Sequence, residues 1–158
     1  MTTIMTTTMD TNADTTTEAS LLDSHRECFA CGVCNNGGLK LHFEIDSDGV
    51  AAAVWQPSPT FQSYPDRLHG GVIATLLDSA IVHALFAKGI AGVTAELNIR
   101  YLKRVGLREP LHVCGHVDSE KHGVFLCRAQ VRQGGVLAVR ASAKFMAMIP
   151  ETPPLAGD

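Results

Sequence analysis

The chain has 158 residues, 46% hydrophobic and 18% charged, with 13 Lys and Arg against 16 Asp and Glu for a formal net charge of −3. This composition excludes a disordered chain, a collagen-like repeat and a small disulfide scaffold, and an acidic balance without a basic run gives no footprint for nucleic acid. The most apolar stretch, residues 72–87, is interrupted by Thr75, Asp78, Ser79 and His83, so it falls short of the ~20 residues of a membrane span and a soluble domain is expected.

Residues 1–20 hold nine Thr, three acids and no Lys or Arg. Neither the positive start nor the apolar run of a signal peptide is visible, so residues 1–24 read as a flexible Thr-rich tail. The Pro-rich end, residues 150–158, reads as a second tail, which leaves residues 25–149 for one domain. Five cysteines, an odd number, occur at 28, 31, 34, 114 and 127. With no export signal, a reduced cytoplasmic chain is the expectation.

Leu39, Leu41, Phe43 and Ile45 alternate with polar residues, the period of a half-buried strand. Ser47-Asp48-Gly49 is a turn, and Val50–Trp55 is the returning strand. The apolar run from Gly71 to Ala87 lacks Pro, is rich in Leu and Ala, and leaves through Lys88-Gly89, which predicts a helix. Its apolar residues point nearly all round, so it must be enclosed. Val93, Ala95, Leu97, Ile99 and Tyr101 form one face of the next strand, with Thr94, Glu96, Asn98 and Arg100 on the other. Leu111–Val117, Val124–Arg132 and Val136–Met148 follow as strands, joined by turns at Gly123 and Gly134-Gly135. Short connections imply antiparallel neighbours. The order ββ–α–ββββ predicts an α+β chain in which an antiparallel sheet wraps one long central helix, the hotdog architecture.

Asp78 is the only formal charge between Val72 and Ala87. Burying a carboxylate costs several kcal/mol unless it is partnered, so packing alone would favour Ala or Leu there. Asp78 either faces solvent or is retained for chemistry. Upstream, His69-Gly70-Gly71 places glycine backbone where the free N–H groups and positive dipole end of the helix are aimed, a place that can accept charge developing on a carbonyl oxygen. Gly70 and Asp78 are eight residues apart, about 12 Å along a helix axis. One chain cannot easily bring both to one reacting atom; two helices packed antiparallel in a dimer can.

The segment Arg67-Leu-His-Gly-Gly-Val-Ile-Ala-Thr-Leu-Leu-Asp-Ser-Ala80, with Gly92-Val-Thr-Ala-Glu-Leu-Asn-Ile-Arg-Tyr-Leu-Lys103, resembles the hotdog acyl-CoA thioesterases. The branch it is most similar to is the PaaI-like and 4-hydroxybenzoyl-CoA thioesterase superfamily. Cys28-Phe-Ala-Cys-Gly32 and Asn35-Asn-Gly-Gly-Leu39 resemble the opening of a PaaI-like subgroup. The resemblance implies that the Gly70 N–H polarises the thioester carbonyl and that Asp78 is the nucleophile or the base that activates water. It implies that Thr94 orients the water or the acid, and that the site lies between subunits of a homodimer or a dimer-of-dimers tetramer. The family's amide near the carbonyl has Ser63 at its spacing here, with Gln62 as the neighbouring amide. Ser63, Asn36 and Arg104 depart from the subgroup, which has Gly, Pro and Pro at those places.

Arg100, Lys103 and Arg104 are the densest basic cluster and candidates for the phosphates of coenzyme A. Gly71 and Tyr64 are candidate pocket residues. His69 either acts as an acid or, the favoured reading, holds the helix entrance. His83 reads as a satisfied buried histidine. His25-x-x-Cys28-x-x-Cys31-x-x-Cys34 has metal-like spacing, but no second ligand pair follows, so reduced loop thiols and no metal are expected. The expected activity is hydrolysis of an acyl-CoA, or of a carrier-protein thioester, to acid and thiol. No cofactor is expected beyond the coenzyme A of the substrate, and no nucleic-acid or membrane partner. The rival readings are an acyl-CoA-binding hotdog protein without turnover, a hotdog hydratase or dehydratase, and a metal-organised interaction protein.

Overall fold

The computed structural model describes residues 12–148. The C-terminal segment read as a tail, 150–158, lies outside the described residues, as do residues 1–11. Within the segment read as an N-terminal tail, Asn12–Ser24 forms a helix, α1. Leu21, near its end, packs on the core.

The six strands are β1 (Glu44–Ile45), β2 (Ala51–Trp55), β3 (Gly92–Tyr101), β4 (Leu111–Lys121), β5 (Val124–Gln133) and β6 (Val136–Ala147). They form one antiparallel sheet in the order β1-β2-β4-β5-β6-β3. The helix α2 (Gly70–Phe86) lies against one face and packs on β2, β3, β4 and β5. This is the hotdog fold.

β1 is much shorter than its alternation predicts. Leu39, Leu41 and Phe43 are buried and the intervening Lys40 and His42 exposed, so the pattern is right. Lys40, however, has φ 55°, which turns the chain away from the ladder. The segment is held instead by the Trp55 Nε1–H, which donates to the Leu39 carbonyl at 2.8 Å.

Two local features fix where α2 sits. A Cβ at Gly115 on β4 would lie 2.6 Å from the Ala80 carbonyl carbon and 2.8 Å from the Ile81 nitrogen. Helix and sheet therefore touch backbone to backbone, and only glycine permits it. The second is a bulge in β3. Thr94 pairs with Phe145 but Glu96 pairs with Lys144, leaving Ala95 as the extra residue. An extra residue inverts the alternation. Thr94 thus shares the helix-facing side with Leu97, opposite Ala143, and Ile99, opposite Ala141. The simple period-two reading, which set Thr94 on the face of Glu96 and Asn98, is corrected here.

Candidate active site

The first turn of α2 is held on three sides. His69 is the N-cap, and its Nδ1 accepts from the Gly71 N–H at 2.9 Å. The Tyr101 hydroxyl donates to the Gly70 carbonyl at 2.8 Å. The His69 N–H donates to the Phe61 carbonyl, and Leu68 N–H to the Val105 carbonyl, which ties the entering chain to both neighbouring loops. Among the described residues no acceptor engages the Gly70 N–H. A helix start leaves such donors unpaired, and the dipole adds positive potential there.

Gly70 opens onto a cavity of about 480 Å³ lined by Ser63, Tyr64, Tyr101, Lys103 and Arg104 among others. Five residues singled out from sequence (Ser63, Tyr64, Gly70, Lys103, Arg104) therefore meet around one space. Others do not join them. The Gly71 N–H is taken by the His69 cap, so Gly70 is the donor left free. Gln62 is exposed and its backbone forms a bridge with Leu68. The Ser63 hydroxyl donates to the Arg67 carbonyl at 3.4 Å.

The basic cluster divides. Arg100 pairs with Arg140 on the sheet face away from α2, beside a different cavity of about 830 Å³. Arg104 donates to the Asp66 carbonyl at 2.7 Å and to its carboxylate at 3.3 Å, while Arg108 reaches the same carboxylate at 3.5 Å. Arg104 thus fastens the loop at Asp66, which has φ 54°, and Lys103 is the cluster's cation at the Gly70 cavity without such a tie.

Asp78 lies two turns farther along α2, outside that cavity. It is half-buried, and its Oδ1 accepts from the Thr94 hydroxyl at 2.5 Å. Burial raises its carboxyl above the ordinary carboxylate value, while the Thr94 hydrogen bond pulls it back. The β3 bulge is what aims Thr94 at this carboxylate. Sequence reasoning missed the Tyr101 contact, since an apolar-phase tyrosine at a strand end shows nothing of where its hydroxyl goes. It also missed Asp66, whose role depends on loops distant in the chain.

His83 is buried, stacked on Phe43 with ring centroids 4.5 Å apart. Its Nε2 has no hydrogen-bond partner among the described residues, which corrects the expectation of a satisfied histidine. Burial, then the neighbouring His25 and His42, push its pKa down to about 4.

The sequence model of the thioesterase superfamily matches residues 66–139, the segment that holds α2, β3 and the cavity loop. Acyl-coenzyme A thioesterase THEM4 of Rattus norvegicus is 33% identical over 94 residues, covering 58% of this chain and 40% of that protein. The chain spans less than half the length of the curated relatives it matches. Among solved structures, RHA08564, a thioesterase superfamily protein, is 25% identical with a TM-score of 0.73, covering 88% of this chain and 81% of that one. A hypothetical thioesterase protein of Streptococcus pneumoniae, solved with coenzyme A, is 21% identical with a TM-score of 0.64 over 68% and 88% of the two chains. A protein of the same description is also solved with an aspartate and, in a separate structure, a threonine replaced by alanine.

Proposed function

We propose that this chain, whose residues 66–139 match the sequence model of the thioesterase superfamily, is a member of it that hydrolyses acyl-CoA thioesters, with Asp78 as the nucleophile or the base that activates water and Gly70 as the oxyanion donor. The observation that carries the reading is the division of labour along α2. A half-buried carboxylate with a hydroxyl donor sits at one place, and a free N–H beside an open cavity sits at another. A thioester is already reactive, so a positioned carboxylate and a polarised carbonyl are sufficient chemistry, with no resident cofactor in the reaction.

The two groups lie about 12 Å apart along the helix, so the reading includes self-association, as a dimer or as a dimer-of-dimers tetramer. Support comes from β3, a ten-residue strand on the sheet edge. Val93 and Tyr101 on β3 and Leu102 just beyond it are exposed apolar or aromatic residues. A long edge of this kind is a template for pairing with a second copy. Antiparallel packing there would carry Asp78 of one copy toward Gly70 of the other, with Thr94 as the positioning residue and His69 as the cap that fixes the amide. Tyr64 and Lys103 line the entrance for the acyl-CoA. The likeness to proteins named acyl-CoA thioesterase and solved with coenzyme A supports the substrate class. The cysteine count supports a reduced cytoplasmic setting; among the described residues no helix is long and apolar enough to cross a membrane.

The test is thiol release from short-chain, medium-chain and aromatic acyl-CoAs. Asp78→Asn should lower kcat about 1,000-fold on the accepted substrates while the protein still folds. No turnover by the unaltered protein on the whole panel, with acyl-CoA still bound, would favour the binding-protein reading instead. Hydration of an enoyl-CoA in place of thiol release would favour the hydratase.

A further inference from the structure

We propose that His25, Cys28 and Cys31 form a zinc site that fastens the N-terminal loop to the C-terminal end of α2. The sequence argues against a metal because no second ligand pair follows. The fold changes the question, since it brings three ligands together without one. One ligand atom from each residue lies within 4.8 Å of the other two. The Cys31 Sγ and His25 Nδ1 are 3.7 Å apart. Two corners of a tetrahedral zinc site with ordinary Zn–S and Zn–N bonds are about 3.6 Å apart, so this edge is already at its metal-bound length. All three residues are half-buried, which leaves the fourth corner for solvent.

The surrounding chain holds this arrangement independently of a metal. The Cys28 N–H donates to the His25 carbonyl, the Gly32 N–H to the Cys28 carbonyl and the Cys34 N–H to the Arg26 carbonyl, a succession of tight turns. A Cβ at Gly32 would fall 2.5 Å from three backbone atoms of Arg26 and Cys28, so the knuckle closes only around glycine. The loop is docked by Leu39 and Leu41, whose N–H groups donate to Phe29 and Ala30, and by the Lys40 ammonium, which donates to the Gly32 and Val33 carbonyls. The His25 ring meets Phe86 edge-on at 4.8 Å, which links the cluster to the last turn of α2. Two sulfurs and an imidazole suit zinc rather than a hard cation.

The experiment uses the full chain, purified in reductant and stripped of metal, with cobalt(II) and then zinc added. One cobalt per chain with a thiolate-to-cobalt charge-transfer band in the near ultraviolet is expected, displaced by one equivalent of zinc. Cys28→Ser and Cys31→Ser should each lose most of that band, and Cys114→Ser and Cys34→Ser should keep it. In the unaltered protein, zinc should raise Tm by about 5 °C or more over the stripped form, a readout that needs no variant to fold. Absence of the band in reduced, folded protein, or a zinc-independent Tm, would overturn the proposal. An equal loss in Cys34→Ser would overturn the three-ligand assignment.

Discussion

The two halves of α2 contrast sharply. From Ser79 to Phe86 every residue is buried, whereas from Gly70 to Asp78 only Ile73, Leu76 and Leu77 are. The C-terminal half is gripped by the sheet, with backbone contact at Gly115. The N-terminal half keeps a free N–H, an open cavity and a carboxylate raised by burial. One half holds position and the other carries the groups proposed to react, since a fully covered helix would have no place for substrate or for a second copy.

The contrast can be broken most severely at the packed half. Gly115→Ala forces a methyl group into the Ala80–Ile81 backbone, and overpacking of this kind costs about 3 kcal/mol. Urea unfolding should show that loss, and an unchanged midpoint would mean that helix and sheet are not in contact there. His83 supplies a pH signature of the same half. Its folded pKa lies below the ordinary histidine value, so the unfolded chain binds the proton more tightly. The stability this contributes is complete above about 6.5 and is lost as pH falls toward about 4, a change on the order of 3 kcal/mol. His83→Leu, which also removes an unpartnered polar atom, should flatten the stability profile across that window. A profile as steep as that of the unaltered protein would assign the acid sensitivity to other groups.

At the exposed half the effects fall on activity instead. Asp78 holds its proton more tightly folded than unfolded. Its contribution to stability is therefore present at low pH and is lost as pH rises through its raised pKa, so Asp78→Asn should leave Tm at neutral pH unchanged or higher. Thr94 opposes that shift. Thr94→Ala should move the acid limb of kcat/KM upward and slow turnover about tenfold, while Thr94→Ser retains both. A limb that stays in place would remove Asp78 as the titrating group.

The residues that alternate or repeat announce themselves in the chain. The central helix, the order of elements along the chain and the lone aspartate in apolar company were all legible in the sequence, as was the glycine pair at the helix entrance. What was hidden depended on single-residue departures from a period or on contacts between distant loops. The extra residue at Ala95 reverses the side on which Thr94 lies, and nothing in the residue types announces a bulge. Lys40 breaks the first strand through its φ, not its polarity. Arg100 and Arg104 are near in sequence yet line different cavities, and Asp66, remote from Arg104, is what claims it. The run from His25 to Cys34 looked short of ligands because no second pair follows it, and only the folded knuckle brings His25, Cys28 and Cys31 within 4.8 Å of one another.

The sharing of one site between two copies is tested most directly by mixing inactive variants. Asp78→Asn removes the carboxylate. Gly70→Pro removes the helix-entry N–H at a first-turn position that accepts proline, behind a His69 already at φ −64° and ψ 132°. If each site takes Asp78 from one copy and Gly70 from the other, random exchange of the two inactive proteins should restore about a quarter of normal activity, since half the dimers are mixed and each has one intact site. A mixture that exchanges subunits yet remains as inactive as its parents would place both groups in one chain and contradict the account.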